Sequence, residues 1–452
     1  MNKFKEDFVW GVAASSYQIE GAAEQDGRSD SVWDMFCREP GKIKDSSDGR
    51  IACDHYNRYQ DDVRMIADLN VKAYRLSTAW PRIIPDGYGK VNEKGLAFYD
   101  KLVDELLAAG VTPWITLYHW DMPTCLFDQG GWLNPASSDW FADYARVVTE
   151  RLSDRVTNWF TLNEPQVFLG LGHQVGEHAP GLQLPFEKVL LASHNSLLAH
   201  GKAVQVMRAV AKQPLKIGAA PVGVVNFPTS DDPALVEAAR KSTFSVSGVN
   251  CFSNTWYADP MLKGEYPEDG LELFEHYLPK FGADDMKQIC QPLDMYAANI
   301  YAGTPLEFND KGEVVTAESS LLGCGRTTMD WNVTPDCLYW GPKFLYERYG
   351  LPIVVTENGL ASCDWVHVNG EVDDAGRVDY VQRHLRALRQ AAADGTDVAG
   401  YFYWSIMDNF EWGFGYQQRF GMVHVDYHTQ KRTPKRSAYW YRDVINSNGE
   451  IL

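Results

Sequence analysis

The stretch between residues 71 and 118 decides the fold. It opens with Val71-Lys72-Ala73-Tyr74-Arg75-Leu76-Ser77. It runs through the helical segment Leu96–Ala109 and, after Gly110, closes with Thr112-Pro113-Trp114-Ile115-Thr116-Leu117-Tyr118. The outer pieces are short apolar runs and the middle is amphipathic. A strand–helix–strand unit of this kind lays its two strands parallel. Gly110 supplies the left-handed residue that ends a helix.

The same alternation extends in both directions. The apolar runs Phe8–Ala14, Val156–Leu162, Leu215–Pro221, Leu293–Ile300, Pro352–Thr356 and Val398–Trp404 bring the expected strands to eight. Tyr56–Leu69, with Tyr59, Val63, Ile66 and Leu69 at helical spacing, and Trp140–Leu152 are expected helices. Tyr349-Gly350 marks another helix end before the seventh strand. Near-continuous apolar strands are buried on both faces, which argues for a parallel sheet. Eight of them argue for an α/β fold of the (β/α)8 TIM-barrel type.

The chain has 452 residues, and a minimal barrel needs about 250. The excess is expected in long βα-loops of one catalytic domain spanning 1–452. The largest insertions fall at about 222–291 and 303–340, the second with a hairpin around Asn309-Asp310-Lys311-Gly312.

Charge narrows the partners. The 42 Lys and Arg face 60 Asp and Glu, a net charge of −18, which opposes binding to nucleic acid or to anionic lipid. A neutral small molecule is indifferent to it. None of the eight cysteines forms a C-x-x-C pair, so reduced structural thiols are expected. The start MNKFKEDFVW lacks the apolar core of a signal peptide, and no run of about 18 apolar residues occurs. The expectation is a cytoplasmic protein with no membrane span. The sequence sets no oligomeric state.

In a parallel barrel, chemistry collects at the C-terminal ends of the strands. There the sequence places Gln18, Arg75, His119 with Trp120, Asn163-Glu164, Asn299 with Tyr301, Glu357-Asn358 and Trp404. Glu164 and Glu357 end strands four and seven, on opposing sides of the mouth. Two opposed carboxyl groups suit glycoside hydrolysis: one protonates the leaving oxygen, and the other attacks the anomeric carbon or activates water. Arg75, Tyr301 and Asn299 are candidates to keep one of the pair ionised, while the other, with fewer charges around it, stays protonated. Asn163 offers an amide to a sugar hydroxyl.

Other chemistries find little support. Gly170-Leu171-Gly172 with Gly176 has the wrong spacing for a dinucleotide loop, and His173 and His178 alone are a poor metal set. No G-x-S-x-G elbow is present. No metal or cofactor is expected.

These residues sit in longer motifs that resemble family 1 glycoside hydrolases, the β-glucosidase and β-galactosidase family. The likeness runs from Phe8-Val9-Trp10-Gly11 through Ser16-Tyr17-Gln18-Ile19-Glu20-Gly21, Tyr74-Arg75-Leu76-Ser77 and Tyr118-His119-Trp120-Asp121. It continues with Thr161-Leu162-Asn163-Glu164-Pro165 and Thr356-Glu357-Asn358-Gly359, and ends on Trp404–Trp412 and Lys431–Lys435.

The resemblance implies a retaining, exo-acting β-glucosidase that works by double displacement, with Glu164 as acid/base and Glu357 as nucleophile. β-Galactosides and β-fucosides are further implied substrates, the expected partner is a small-molecule β-glycoside or cello-oligosaccharide, and the natural aglycone is not set by the sequence. Gln18, His119, Asn163, Glu411 and Trp412 match glycone-binding positions, Trp404 the sugar-stacking floor and Trp331 the aglycone side, and Trp120 is expected to bind substrate as cleft surface. Phe420 is expected on the cleft surface.

One branch of the family acts on 6-phosphorylated glycosides, with Ser, Lys and Tyr at positions matching Glu411, Gln418 and Phe420. A carboxylate at 411 repels phosphate, so an unphosphorylated sugar is favoured. A mainly transglycosylating β-glycosidase is the other alternative. Glu411-Trp412 disfavours an endo-cellulase, and the two retained carboxyls disfavour an inert sugar-binding protein. Asp330 and Gln166 depart from the family pattern, and both bear on the aglycone side.

Overall fold

The computed structural model describes residues 3–452. Eight parallel strands form one sheet: β1 (Val9–Ala13), β2 (Ala73–Ser77), β3 (Thr112–Tyr118), β4 (Asn158–Asn163), β5 (Lys216–Ala220), β6 (Tyr296–Asn299), β7 (Ile353–Asn358) and β8 (Val398–Trp404). Each sequential neighbour pairs in order from β1 to β5 and from β6 to β8, and β1 pairs β8 with Ala13 opposite Trp404. The seam between β5 and β6 carries no continuous ladder. It is drawn together by Asp294 N–H to Ile217 O (2.9 Å), Asn299 N–H to Pro221 O (3.0 Å) and Gly223 N–H to Asn299 O (2.9 Å). The result is the nearly closed TIM barrel that the eight runs predict.

The strands look uniformly apolar because both of their faces are buried, against different partners. Ala13, Ala73, Trp114, Phe160, Val354 and Phe402 fill the lumen as one cluster. Their chain neighbours Val12, Tyr74, Ile115, Val355 and Tyr401 belong to the outer cluster beneath the helices. This is the period-2 alternation of a barrel strand. Gly11 leaves room for the lumen: a Cβ there would lie 2.3 Å from the Phe402 ring.

Helices α1 (His55–Asp68), α2 (Glu93–Ala108), α3 (Ser137–Leu152) and α4 (Phe186–Val210) separate the first five strands, and α5 (Cys337–Tyr349) and α6 (Ala375–Ala393) flank β7. In α2 the buried Leu96, Phe98, Tyr99, Leu102, Val103 and Leu106 recur at helical spacing. Gly350, at φ +67°, stops α5 after Tyr349.

The two large loops meet. Asn226–Pro228 pairs parallel with Thr304–Phe308, which turns at Asn309–Gly312 and returns as Val314–Thr316. The hairpin thus lies where its turn residues predict, with Gly312 at φ +77°.

Two strand ends differ from the sequence reading in a way that matters. β4 extends to Asn163, which pairs with Ala220, and β7 extends to Asn358, beyond a register shift after Val355. Bulges of this kind turn side chains at barrel rims. They put Asn163 and Glu357 on the ladder itself rather than in the following loops. Among the described residues no helix is long and apolar enough to cross a membrane.

Candidate active site

A cleft of about 480 Å³ opens at the C-terminal ends of the strands, lined by Glu164, Asn299, Tyr301, Glu357, Trp404 and Glu411 among others. Three of its lining residues hold left-handed backbone without being glycine: Trp120 (φ +76°), Glu164 (φ +46°) and Trp412 (φ +48°). Such conformations cost energy and collect where a fold over-determines them for function. Glu164 is fixed from both sides. Its N–H donates to Ala220 O at 2.8 Å, and Pro165 begins the helix Pro165–Leu169.

The environments of the two carboxyls differ. Arg75 donates from Nη1 to Glu357 Oε1 at 2.6 Å, and the Tyr301 hydroxyl donates to Oε2 at 2.7 Å. Glu164 receives one neutral donor, Asn299 Nδ2 at 2.8 Å from Oε1. Burial raises both groups. Arg75 and Tyr301 offset part of that rise at Glu357, which stays above the ordinary carboxylate value. Glu164 has no direct cation, and burial with repulsion from Glu357 pushes it up to about 8. At neutral pH the single proton of the pair therefore rests on Glu164.

Asn299, expected with Arg75 and Tyr301 in support of Glu357, stands opposite Glu357 in the β6–β7 ladder, and its amide helps to lower that carboxyl. Its amide, however, turns toward β4 and donates to Glu164 Oε1 and to Asn163 Oδ1 (3.0 Å). Thr356 fixes that orientation by donating to Asn299 Oδ1 at 2.7 Å. Asn299 thus serves both carboxyls, with its shortest donation going to Glu164.

The remaining sequence candidates assemble around this pair. Arg75 Nη2 donates to Asn163 Oδ1 at 2.6 Å, leaving the Asn163 Nδ2 to face His119 Nε2 at 3.1 Å. Burial and Arg75 keep His119 neutral, so Nε2 accepts from Asn163 and Nδ1 carries the ring hydrogen. The His119 ring stacks 5.7 Å from Trp404 and 6.0 Å from Trp412. Trp120 lies 4.5 Å from Trp412, and its Nε1 donates to Asn163 O at 2.9 Å.

Gln18, in the short turn after β1, donates from Nε2 to Asn409 Oδ1 (3.0 Å), Phe410 O (2.9 Å) and Glu411 Oε2 (3.4 Å). Burial, then Glu357, push Glu411 up to about 8. Trp331, half-buried, stands 5.2 Å from Tyr301 and 6.2 Å from Phe420.

Several contributors escape the sequence reading. Thr116 receives Arg75 Nε at 3.1 Å, and Asn409 holds Gln18. Phe252, Met329, Val222 and Leu171 line the cleft from the loops. Thr116 carries a usable signal, a hydroxyl inside an apolar strand. The loop residues carry none, because no periodicity governs them.

A parallel barrel with two buried glutamates in unlike surroundings at its mouth, among indole rings, defines an enzyme that cleaves glycosidic bonds. Residues 1–450 match the glycosyl hydrolase family 1 description, and the chain belongs to that family. It is 43% identical over 453 residues to β-glucosidase A of Thermotoga maritima, covering 99% of each chain. It is also 43% identical to a β-glucosidase of an Agrobacterium species, over 97% of this chain and 94% of that one. The solved Thermotoga maritima β-glucosidase in complex with glucoimidazole superposes with a TM-score of 0.90 over 99% of this chain and 100% of that chain.

Proposed function

We propose that the protein is a retaining, exo-acting β-glucosidase that removes terminal non-reducing β-glucosyl residues through a covalent glycosyl-enzyme. The observation that carries this reading is the asymmetry of the two carboxyls. The Glu357 oxygen attacks the anomeric carbon as the bond to the aglycone oxygen breaks, and Glu164 delivers its proton to that oxygen. Esterification removes the Glu357 charge, so Glu164 loses its main repulsive neighbour and its acidity rises. Glu164 can then take a proton from water as the water oxygen attacks the same carbon and releases Glu357.

Support for an unphosphorylated glycone comes from the lining. Among the described residues no lysine or arginine side chain lines the cleft, Glu411 lies inside it, and Gln418 is engaged with Thr328. β-Galactosides and β-fucosides fit the same charge pattern. The names of the relatives support the glucosidase assignment, and one relative at 39% identity is named a bifunctional β-D-glucosidase/β-D-fucosidase of Bifidobacterium breve.

The test is chemical rescue. Glu357→Gly abolishes hydrolysis, and azide then restores turnover of nitrophenyl β-glucoside with α-glucosyl azide as product. Glu164→Ala with azide yields the β-azide instead. Substantial hydrolysis by Glu357→Gly without azide overturns the nucleophile assignment. A preference for 6-phospho-β-glucoside overturns the reading of Glu411.

A further inference from the structure

We propose that the recess at the N-terminal face of the barrel, opposite the catalytic mouth, is a second binding site, and that its ligand is the carboxylate of a small organic acid. The proposal stands on a row of three polar side chains and is independent of the β-glucosidase reading above.

The recess has a volume of about 660 Å³ and is lined by residues at, or just before, the start of each barrel strand. Trp114 on β3 pairs with Asn158 on β4, and Asn158 pairs with Lys216 on β5. Residues paired across parallel strands face the same side of the sheet, and all three line the recess. The row continues onto β2, where Arg75 pairs with Trp114. Barrel strands are tilted and staggered, so one row runs from the arginine beneath Glu357 to the opposite rim.

At the upper end of the row Arg75 donates to Thr116, Glu357 and Asn163. Its three row neighbours have no such partners. Trp114 is 5% exposed, and its Nε1 meets no acceptor. Asn158 is 8% exposed, and among the described residues its amide makes no side-chain hydrogen bond. Lys216 forms no ion pair among the described residues. A buried polar group without a partner is costly to keep. Indole N–H and ammonium groups only donate, and a primary amide donates twice. The row therefore calls for a ligand that accepts.

The carboxylates around the recess are engaged or lie at its edge. Asp294 Oδ2 accepts from Arg208 Nη2 at 2.8 Å and from Ile217 N–H at 2.7 Å, and Asp397 Oδ1 accepts from Lys5 Nζ at 2.7 Å. Glu6 and Asp7 are exposed on the segment before β1, with Lys5 Nζ 3.9 Å from Asp7. Lys72 adds a second ammonium, bonded to the neutral Asn70. Met295, Pro352, Val354 and Ala399 supply an apolar wall. An organic carboxylate suits both parts: its oxygens meet the donor row, and its apolar body leaves water against the wall. The lumen above is solid. Trp114 packs 5.8 Å from Phe160 and 5.1 Å from Phe402, so a ligand in the recess does not reach the catalytic cleft.

The experiment is calorimetric titration of the full chain with benzoate, and with benzamide as its neutral counterpart. Benzoate is expected to bind saturably with a Kd below about 10 mM. Benzamide is expected to bind at least about tenfold more weakly. Trp114→Phe keeps a ring and removes the N–H, and Asn158→Leu keeps the volume and removes the amide. Each is expected to weaken benzoate at least about tenfold. Lys216→Met, at an exposed position, is expected to weaken it about threefold. Far-UV circular dichroism reports whether each variant is folded, and Lys216→Met decides if a buried variant is not. No saturation below about 10 mM, or benzamide equal to benzoate, overturns the proposal. Unchanged affinity in the folded variants overturns it as well. So does competitive inhibition of nitrophenyl β-glucoside hydrolysis with a constant matching the Kd, which places benzoate in the catalytic cleft.

Discussion

Arg75 on β2 spans the barrel lumen to Glu357 on β7, with Nη1 and Oε1 2.6 Å apart. The same guanidinium holds Asn163 beside Glu164 with its other arm. One rigid fork therefore fixes the charge of one carboxyl and the surroundings of the other. An ammonium, as a point donor, cannot make both contacts in that geometry.

Arg75→Lys is accordingly expected to lower kcat by about 10²-fold or more, comparable to removal of one preorganised donor. With the cation loosened, burial raises Glu357 further. Glu357 must be ionised to attack, so the acidic limb of the pH–kcat/KM profile moves to higher pH. A variant with an unmoved acidic limb would show that Arg75 only supports the fold.

The basic limb belongs to the other carboxyl. Glu164 works protonated and is held at about 8, so activity falls as pH rises through that value. Glu164→Gln should lose this limb, with turnover of alkyl glucosides reduced about 10²–10⁴-fold. Nitrophenyl glucoside, whose leaving group needs less proton assistance, should lose less in the first step. Equal losses on both substrates would count against general acid catalysis at 164.

Much of this arrangement is legible before any coordinates. The eight strands are readable because lumen and helix layer both demand apolar residues, and the polar groups ending Tyr118-His119-Trp120 or Leu162-Asn163-Glu164 interrupt those runs abruptly. The direction of the Asn299 amide is not readable, since it depends on Thr356 and on a register shift in β7. Phe252 and Met329 come from insertions whose shape follows from tertiary contacts alone. Gly359 is visible as part of a motif, but its reason is spatial: a Cβ there would lie 1.8 Å from the Trp404 carbonyl oxygen.

That contact gives a stability prediction. Gly359→Ala must displace either the end of β7 or the backbone under Trp404, and neither is a flexible side chain. Overpacking typically costs about 1–3 kcal/mol, and more when backbone must move. The urea midpoint should fall, with activity falling faster than stability because both strand ends carry the site. An unchanged midpoint would mean that the two strands separate freely.

Glu411 links the pocket to pH-dependent stability. Its folded pKa is raised to about 8 from an ordinary value of 4.5, with burial the first cause and Glu357 the second. A raised folded value contributes stability that is fully present below the unfolded pKa and is lost as pH rises through the folded one. The loss therefore spans roughly pH 4.5 to 8. Glu411→Gln should flatten the decline of Tm over that window while raising KM for β-glucosides. A decline identical to that of the unmodified protein would place the titrating group elsewhere.

The loop that carries Glu411 and Phe420 is anchored by a buried ionic cluster. Lys435 Nζ lies 2.6 Å from Asp364 and 2.7 Å from Asp408, and Arg419 lies 2.6 Å from Asp408. Asp408 also accepts from Gly421 N at 3.0 Å, next to Phe420. Lys435→Met keeps much of the side-chain volume but removes the cation between two carboxylates that stay out of water. Breaking one partner of a buried ionic group costs about 3–5 kcal/mol. Asp408 keeps Arg419 and Asp364 keeps Arg377, so the lower end of that range is expected. The urea midpoint should drop accordingly, and KM should rise as the Phe420 side of the cleft loosens. The double variant Lys435→Met with Asp408→Asn should recover part of the lost stability, because it restores the balance of cations and carboxylates in the cluster of Arg377, Arg419, Asp364 and Asp374. Additive losses in the double variant would mean that Lys435 acts through packing rather than through its charge.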